Sequence, residues 1–161
     1  MKRYTILSLL ILVIFCSCED YLEKTPNYQA SAEGYFINEK AAQESRIGLY
    51  TKHSDYFLDG RYMLDATTDQ LMAQYNWGSA LSIARGIVTP ETGGVIEEFY
   101  EEAYVMIAAA NDHIANIDGM DDGLFSNMTK DEYKADARFF KAFYYFYLTE
   151  TYDGVPLYKE K

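Results

Sequence analysis

The chain has 161 residues, of which 49% are hydrophobic and 16% aromatic, and 25 acidic against 14 basic side chains give a net charge of −11. That apolar content is enough for one core, the length excludes several independent domains, and the aromatic content excludes extended disorder. The acidic balance excludes nucleic acid as a partner, because a phosphate backbone is bound through lysines and arginines.

Lys2 and Arg3 precede an apolar run from Thr5 to Phe15. The run is too short to span a bilayer, which takes about 20 residues. A positive head, an apolar stretch and small residues after it form a secretory signal. Phe15-Cys16-Ser17-Cys18 closes it. A lipoprotein signal peptidase requires a small residue before the cysteine that becomes the new N-terminus. Ser17 meets that requirement for Cys18, whereas Phe15 before Cys16 does not. Cys18 is therefore the expected lipidation site, with residues 1–17 removed and no thiol left for a disulfide, a metal or a nucleophile. The remaining chain carries 12 basic and 25 acidic residues, a net charge of −13. Multiple acyl chains on one cysteine make a stable anchor.

Residues 18–37 read as an irregular arm. Pro26 bars a helix across it, and Tyr21, Tyr28, Tyr35 and Phe36 suggest that it lies against something. Asn38 is a good N-cap. Ala41, Ala42, Ser45 and Leu49 then share one face of a helix over Glu39–Lys52. Residues 53–60 read as a loop ending in the Asp59-Gly60 turn pair. Arg61 to Gln74 is ambiguous between strand and helix, and residues 75–94 read as loop with at most one short helical turn.

The clearest segment follows. Phe99, Ala103, Met106, Ala110, Ile114 and Ile117 recur at spacings of four, three, four, four and three, a helix period. Glu97, Glu98, Glu101 and Glu102 lie near its N-terminus, where the dipole favours them, and Asp118-Gly119 stops it. Thr129 and Glu132 form a capping box for a helix to about Tyr152. Tyr133, Ala137, Phe140, Tyr144 and Leu148 make one of its faces. Phe139, Phe143, Phe146 and Tyr147 make it apolar nearly all round, so both sides should be covered. Asp153-Gly154 and Pro156 end it. The two helices predict an antiparallel hairpin drawn close by Ala108, Ala109 and Ala110 on one and Ala135, Ala137 and Ala142 on the other. Helical-repeat proteins are built this way, each pair covering the next, but no second pair is visible in the sequence.

Several segments together resemble the start of a SusD/RagB-family protein. They are Cys18-Glu19-Asp20-Tyr21-Leu22 through Pro26; Asn38 to Tyr50; Phe99 to Tyr104 with Asn111 and Ile114 to Ile117; and Ala135 to Leu148 followed by Tyr152-Asp153-Gly154-Val155-Pro156-Leu157. The resemblance covers essentially the whole chain after the signal. Asp136 stands where the family usually has Glu, and Asp153-Gly154 replaces the common Gly-Gly. Family members are several times longer, so the sequence reads as an N-terminal fragment or a truncated reading frame.

The resemblance implies an all-α fold of tetratricopeptide-like hairpins over residues 38–161. It also implies a lipoprotein at the cell surface of the outer membrane that captures oligosaccharide, or peptide, for a SusC-type TonB-dependent transporter. Sugar capture would use aromatic faces on pyranose rings. Trp77, in a glycine-containing loop beside Tyr75 and Asn76, is the candidate platform, with a core ring as its alternative. Asp69 and Arg85 bracket the loop and could bind hydroxyls or pair with other surface charges. Arg138, on a very apolar helix, should need a partner such as Asp65, Asp69 or Asp153.

No catalytic residue or cofactor is expected. The four glutamates on one helix turn are solvated charges rather than two carboxylates facing one another across a sugar. His53 and His113 lack metal-ligand spacing, and Asp118, Asp121 and Asp122 do not fit a calcium loop because Met120 interrupts it. The alternative function is an anchored helical-repeat scaffold that holds a protein partner and has no sugar site.

Overall fold

The computed structural model describes residues 32–71 and 77–158, and for residues 32–33, 58–63 and 77 the backbone alone. The arm before residue 32, with the signal and Cys18, lies outside the described residues, as does Tyr75. Contacts divide the chain into Met1–Gly34 and Tyr35–Lys161, and the second unit carries everything below. One helical turn, α1 (Ala32–Tyr35), covers the junction; α2 (Glu39–Asp65), α3 (Ala80–Ala84), α4 (Val95–Gly119) and α5 (Lys130–Tyr152) follow. Short 3-10 turns lie at Trp77–Ser79 and Asp122–Leu124. There is no strand among the described residues.

The period read over α4 is the period of its burial. Phe99, Ala103, Met106, Ala110, Ile114 and Ile117 are all buried, and so is the expected face of α5: Tyr133, Ala137, Phe140, Tyr144 and Leu148. The capping box at Thr129 forms in both directions. His113 lies opposite Tyr133 and Tyr152 opposite Ile96, so α4 and α5 run antiparallel.

Three expectations fail here for packing reasons. The loop expected at residues 53–60 is helix, and α2 runs on to Asp65. A glycine inside a helix costs about 1 kcal/mol, but ending α2 early would uncover Tyr56 and Phe57. Phe57 lies 5.1 Å from the Phe143 ring and 5.4 Å from Tyr147, and burying a ring of this size contributes about 1.5–3 kcal/mol. The long α2 then supplies the third helix that the sequence hid. It packs mainly on α4 and less on α5, parallel to α5 through Arg46–Asp136, Tyr50–Phe140 and His53–Tyr144.

The alanines do not all draw the helices together. Ala110 and Ala137 are buried, whereas Ala108, Ala135 and Ala142 face solvent. Nor is α5 covered on both sides, for Phe139 is 62% and Phe146 57% exposed.

Candidate functional site

The predicted ligand residues belong to the segment between α2 and α4. Its ends are firmly built. At the end of α2, the Thr67 and Thr68 hydroxyls donate to the carbonyls of Leu64 and Asp65, both at 2.7 Å, closing acceptors that the helix end leaves open. Ala66 is buried, and Leu71 packs on the core. Asp69 lies exposed in the turn between them.

Trp77 opens the 3-10 turn that leads into α3. The next residue, Gly78, has φ 53, and Ser79 is also left-handed at φ 66. This backbone sits directly against the start of α4. A Cβ on Gly94 (φ 69) would come within 2.5 Å of the Gly78 carbonyl, and one on Gly78 within 2.8 Å of Val95 Cγ1. Two glycines thus permit a contact that any side chain would block, and the Trp77 backbone is fixed to the N-terminal end of α4.

Ala80 and Ile83 bury α3 in the core. Arg85 caps it and is exposed. Gly86, at φ 66, lets the Ile87 N–H reach the Ser82 carbonyl at 2.9 Å and its own N–H the Ile83 carbonyl at 2.9 Å, a Schellman ending. Ile87 and Val88 then stand exposed. Asp69, Trp77 and Arg85 thus lie along the one connection between α2 and α4, of which residues 72–76 are outside the described residues. Asp69 and Arg85 are both exposed, and among the described residues no hydrogen bond or ion pair joins them.

Other expected roles change. Arg138 is exposed and forms no ion pair among the described residues. The charge pair of the motif is instead Arg46 with Asp136, each about three-quarters buried, and the Asp136 carboxylate holds the Arg46 guanidinium more firmly protonated. Glu97, Glu98 and Glu101 are solvated as expected, but Glu102 is half-buried with one carboxylate oxygen inside the protein. His113 is buried, and His53 is half-buried among the rings of Phe57, Phe140 and Phe143. His113 Nε2–H donates to the Tyr133 carbonyl at 3.2 Å, which leaves Nδ1 to accept from the Ser45 hydroxyl at 2.8 Å. Burial lowers the pKa of both His113 and His53, which favours the neutral imidazole in each. Among the described residues no three His, Cys, Asp or Glu side chains group as metal ligands. No described helix is long and apolar enough to cross a membrane.

The opposite end of the bundle, about 37 Å away along α4 at 1.5 Å per residue, carries features that the sequence did not single out. Glu39 accepts from the backbone N–H groups of Ser126 (3.0 Å), Asn127 (3.0 Å) and Met128 (3.1 Å), and from the Tyr133 hydroxyl at 3.2 Å. An open depression of about 560 Å³ lies beside it, lined by Phe125, Asn127, Lys130 and Lys134 among others. Its lysines are engaged, Lys130 with Asp122 at 2.8 Å and Lys134 with Asp118 at 2.6 Å.

A three-helix unit with a glycine-locked aromatic loop at one end is the framework on which the comparisons bear. Residues 20–161 match the SusD-like family described as starch-binding associating with outer membrane, and the chain belongs to that family. It is similar to the SusD-like protein P25 of Formosa agariphila, 23% identical over 174 residues that cover 99% of this chain. The chain spans 32% of the length of that relative. No solved structure matches it.

Proposed function

We propose that the chain captures glycan for uptake as part of a lipoprotein at the outer surface of the outer membrane. The observation that carries this reading is the family match, which takes in every described helix. Residues 1–17 serve as signal peptide, Cys18 carries the acyl chains, residues 18–37 form the arm, and residues 38–161 form the helical domain. A SusC-type TonB-dependent transporter receives the oligosaccharide.

In this reading the Trp77 ring stacks on a sugar face, Tyr75 extends the platform, and Asp69 and Arg85 hydrogen-bond hydroxyls. The fixed backbone at Gly78 and Gly94 supports it, because a platform held in place loses little freedom on binding. The exposure of Asp69 and Arg85 supports it too. The family's description makes α-linked glucose oligomers the first probe. Trp77 is the only tryptophan, so its emission reports on this loop alone. Titration with maltoheptaose should change that emission saturably. Emission unchanged up to millimolar sugar would refute the platform and favour the scaffold reading, which the exposed Phe139 and Phe146 support.

A further inference from the structure

We propose that Asp153-Gly154, the pair that ends α5, closes spontaneously into a succinimide, which water then opens to an isoaspartyl linkage. Asp153 has φ 64 and ψ −131. That is the backbone of the first central residue of a type II′ turn, a position that glycine ordinarily fills. In an L-residue Cβ stands about 120° round the Cα–C bond from the backbone nitrogen, so this ψ leaves the Gly154 nitrogen about 10° from eclipsing Cβ. A five-membered imide needs that arrangement, because its ring holds Cβ and the following nitrogen on one side of the Cα–C bond. Only χ1 has to turn to bring Cγ to the nitrogen. Among the described residues no hydrogen bond engages the Gly154 N–H or the Asp153 carboxyl group, so neither reacting group has to be released first.

The chain on either side keeps the turn in place. The Asp153 N–H donates to the Thr149 carbonyl at 3.1 Å, and the Tyr152 hydroxyl donates to the Ile96 carbonyl. Beyond the turn, Val155 packs on the core, the Tyr104 hydroxyl donates to the Pro156 carbonyl at 2.8 Å, and the Tyr158 N–H donates to the Tyr145 hydroxyl at 2.7 Å. A disfavoured backbone persists where its surroundings over-determine it. The sequence contains three other Asp-Gly pairs, at Asp59, Asp118 and Asp122. Asp59 and Asp118 lie in α2 and α4, and Asp122 in a 3-10 turn. There a helical ψ leaves the glycine nitrogen about 80° or more from Cβ. The fold thus separates four pairs that the sequence makes alike.

In the first step the Gly154 nitrogen attacks Asp153 Cγ. A C–N bond forms, the carboxyl C–OH bond breaks, and the hydroxyl leaves with the amide proton as water. A water molecule then adds to the Asp153 main-chain carbonyl carbon and breaks its bond to nitrogen. The backbone now runs through Cβ and Cγ and is one carbon longer. Ring closure is intramolecular and asks only for this local geometry, not for a free face. Peptide mapping by mass spectrometry of the full chain, aged in mildly acidic buffer, tests it. The Asp153 peptide should appear lighter by one water, and then as an isoaspartyl form of the original mass. Both should form at least about tenfold faster than at Asp59, Asp118 or Asp122, the advantage of a pre-set geometry. In denaturant the four rates should converge. Asp153→Glu, which could close only a six-membered ring, should remove the products while helicity by circular dichroism is unchanged. Equal rates at the four pairs in the folded chain overturn the proposal. So does a rise at Asp153 on denaturation as large as at the other three, because it means the turn protects the pair.

Discussion

Glu39 joins two stretches of chain almost ninety residues apart. Its carboxylate takes three successive N–H groups of the α4–α5 connection together with the hydroxyl of Tyr133. Those donors, the Ser126 N–H first, hold its pKa down to about 2 from an ordinary 4.5. A lowered carboxylate contributes stability that is complete above the ordinary value and is lost as pH falls through the folded one. The Tm advantage of the wild type over Glu39→Gln should therefore be full at pH 6 and shrink between about pH 4.5 and pH 2. A gap that does not vary with pH would remove Glu39 from this role. Ser45→Ala tests the buried His113 in the same way. It leaves Nδ1 without a donor, and the loss of one such bond costs about 1 kcal/mol in denaturant unfolding. Neither role was legible in the sequence. Glu39 reads as an ordinary first-turn acid, and its partners are fixed only by tertiary packing. His113 gave a faint signal, because the spacing of Ala110 and Ile114 puts it beside the buried seam.

At the scale of the element, legibility followed local signals. The limits of α4 and α5 were readable because a helix period, a capping box and Asp-Gly stops agree there. The extension of α2 was hidden because Gly60 argues locally for a turn, while the rings that outweigh it belong to α5. The exposure of Phe139 and Phe146 was hidden for the opposite reason: composition says that they are apolar, not that a partner is present. Two substitutions test the elements. Thr129→Ala should cost about 1 kcal/mol, the usual worth of an N-cap side chain, with the helix otherwise intact. Gly94→Ala must place a methyl 2.5 Å from the Gly78 backbone at φ 69. Strain of this kind costs about 1–3 kcal/mol, and relieving it must move the Trp77 turn. Gly94→Ala should therefore shift tryptophan emission as well as Tm, whereas Thr129→Ala should leave emission unchanged.

On the scale of the whole molecule, the two ends of the bundle are built differently. The end where α2 begins is closed by Glu39. The other end, where α2 and α5 finish and α4 starts, carries the loop with Trp77. The candidate ligand residues were proposed from residue type alone, an aromatic with polar neighbours in a glycine-containing loop. The Gly78–Gly94 contact that fixes the loop was not legible, since it depends on two chain segments meeting. Calorimetric titration with maltoheptaose, comparing the wild-type chain with Trp77→Ala, tests glycan capture most directly. The account predicts saturable heat for the wild type and at least a tenfold loss of affinity for the variant, about 1.4 kcal/mol. Equal affinity in the two proteins, or no heat from the wild type, would contradict it.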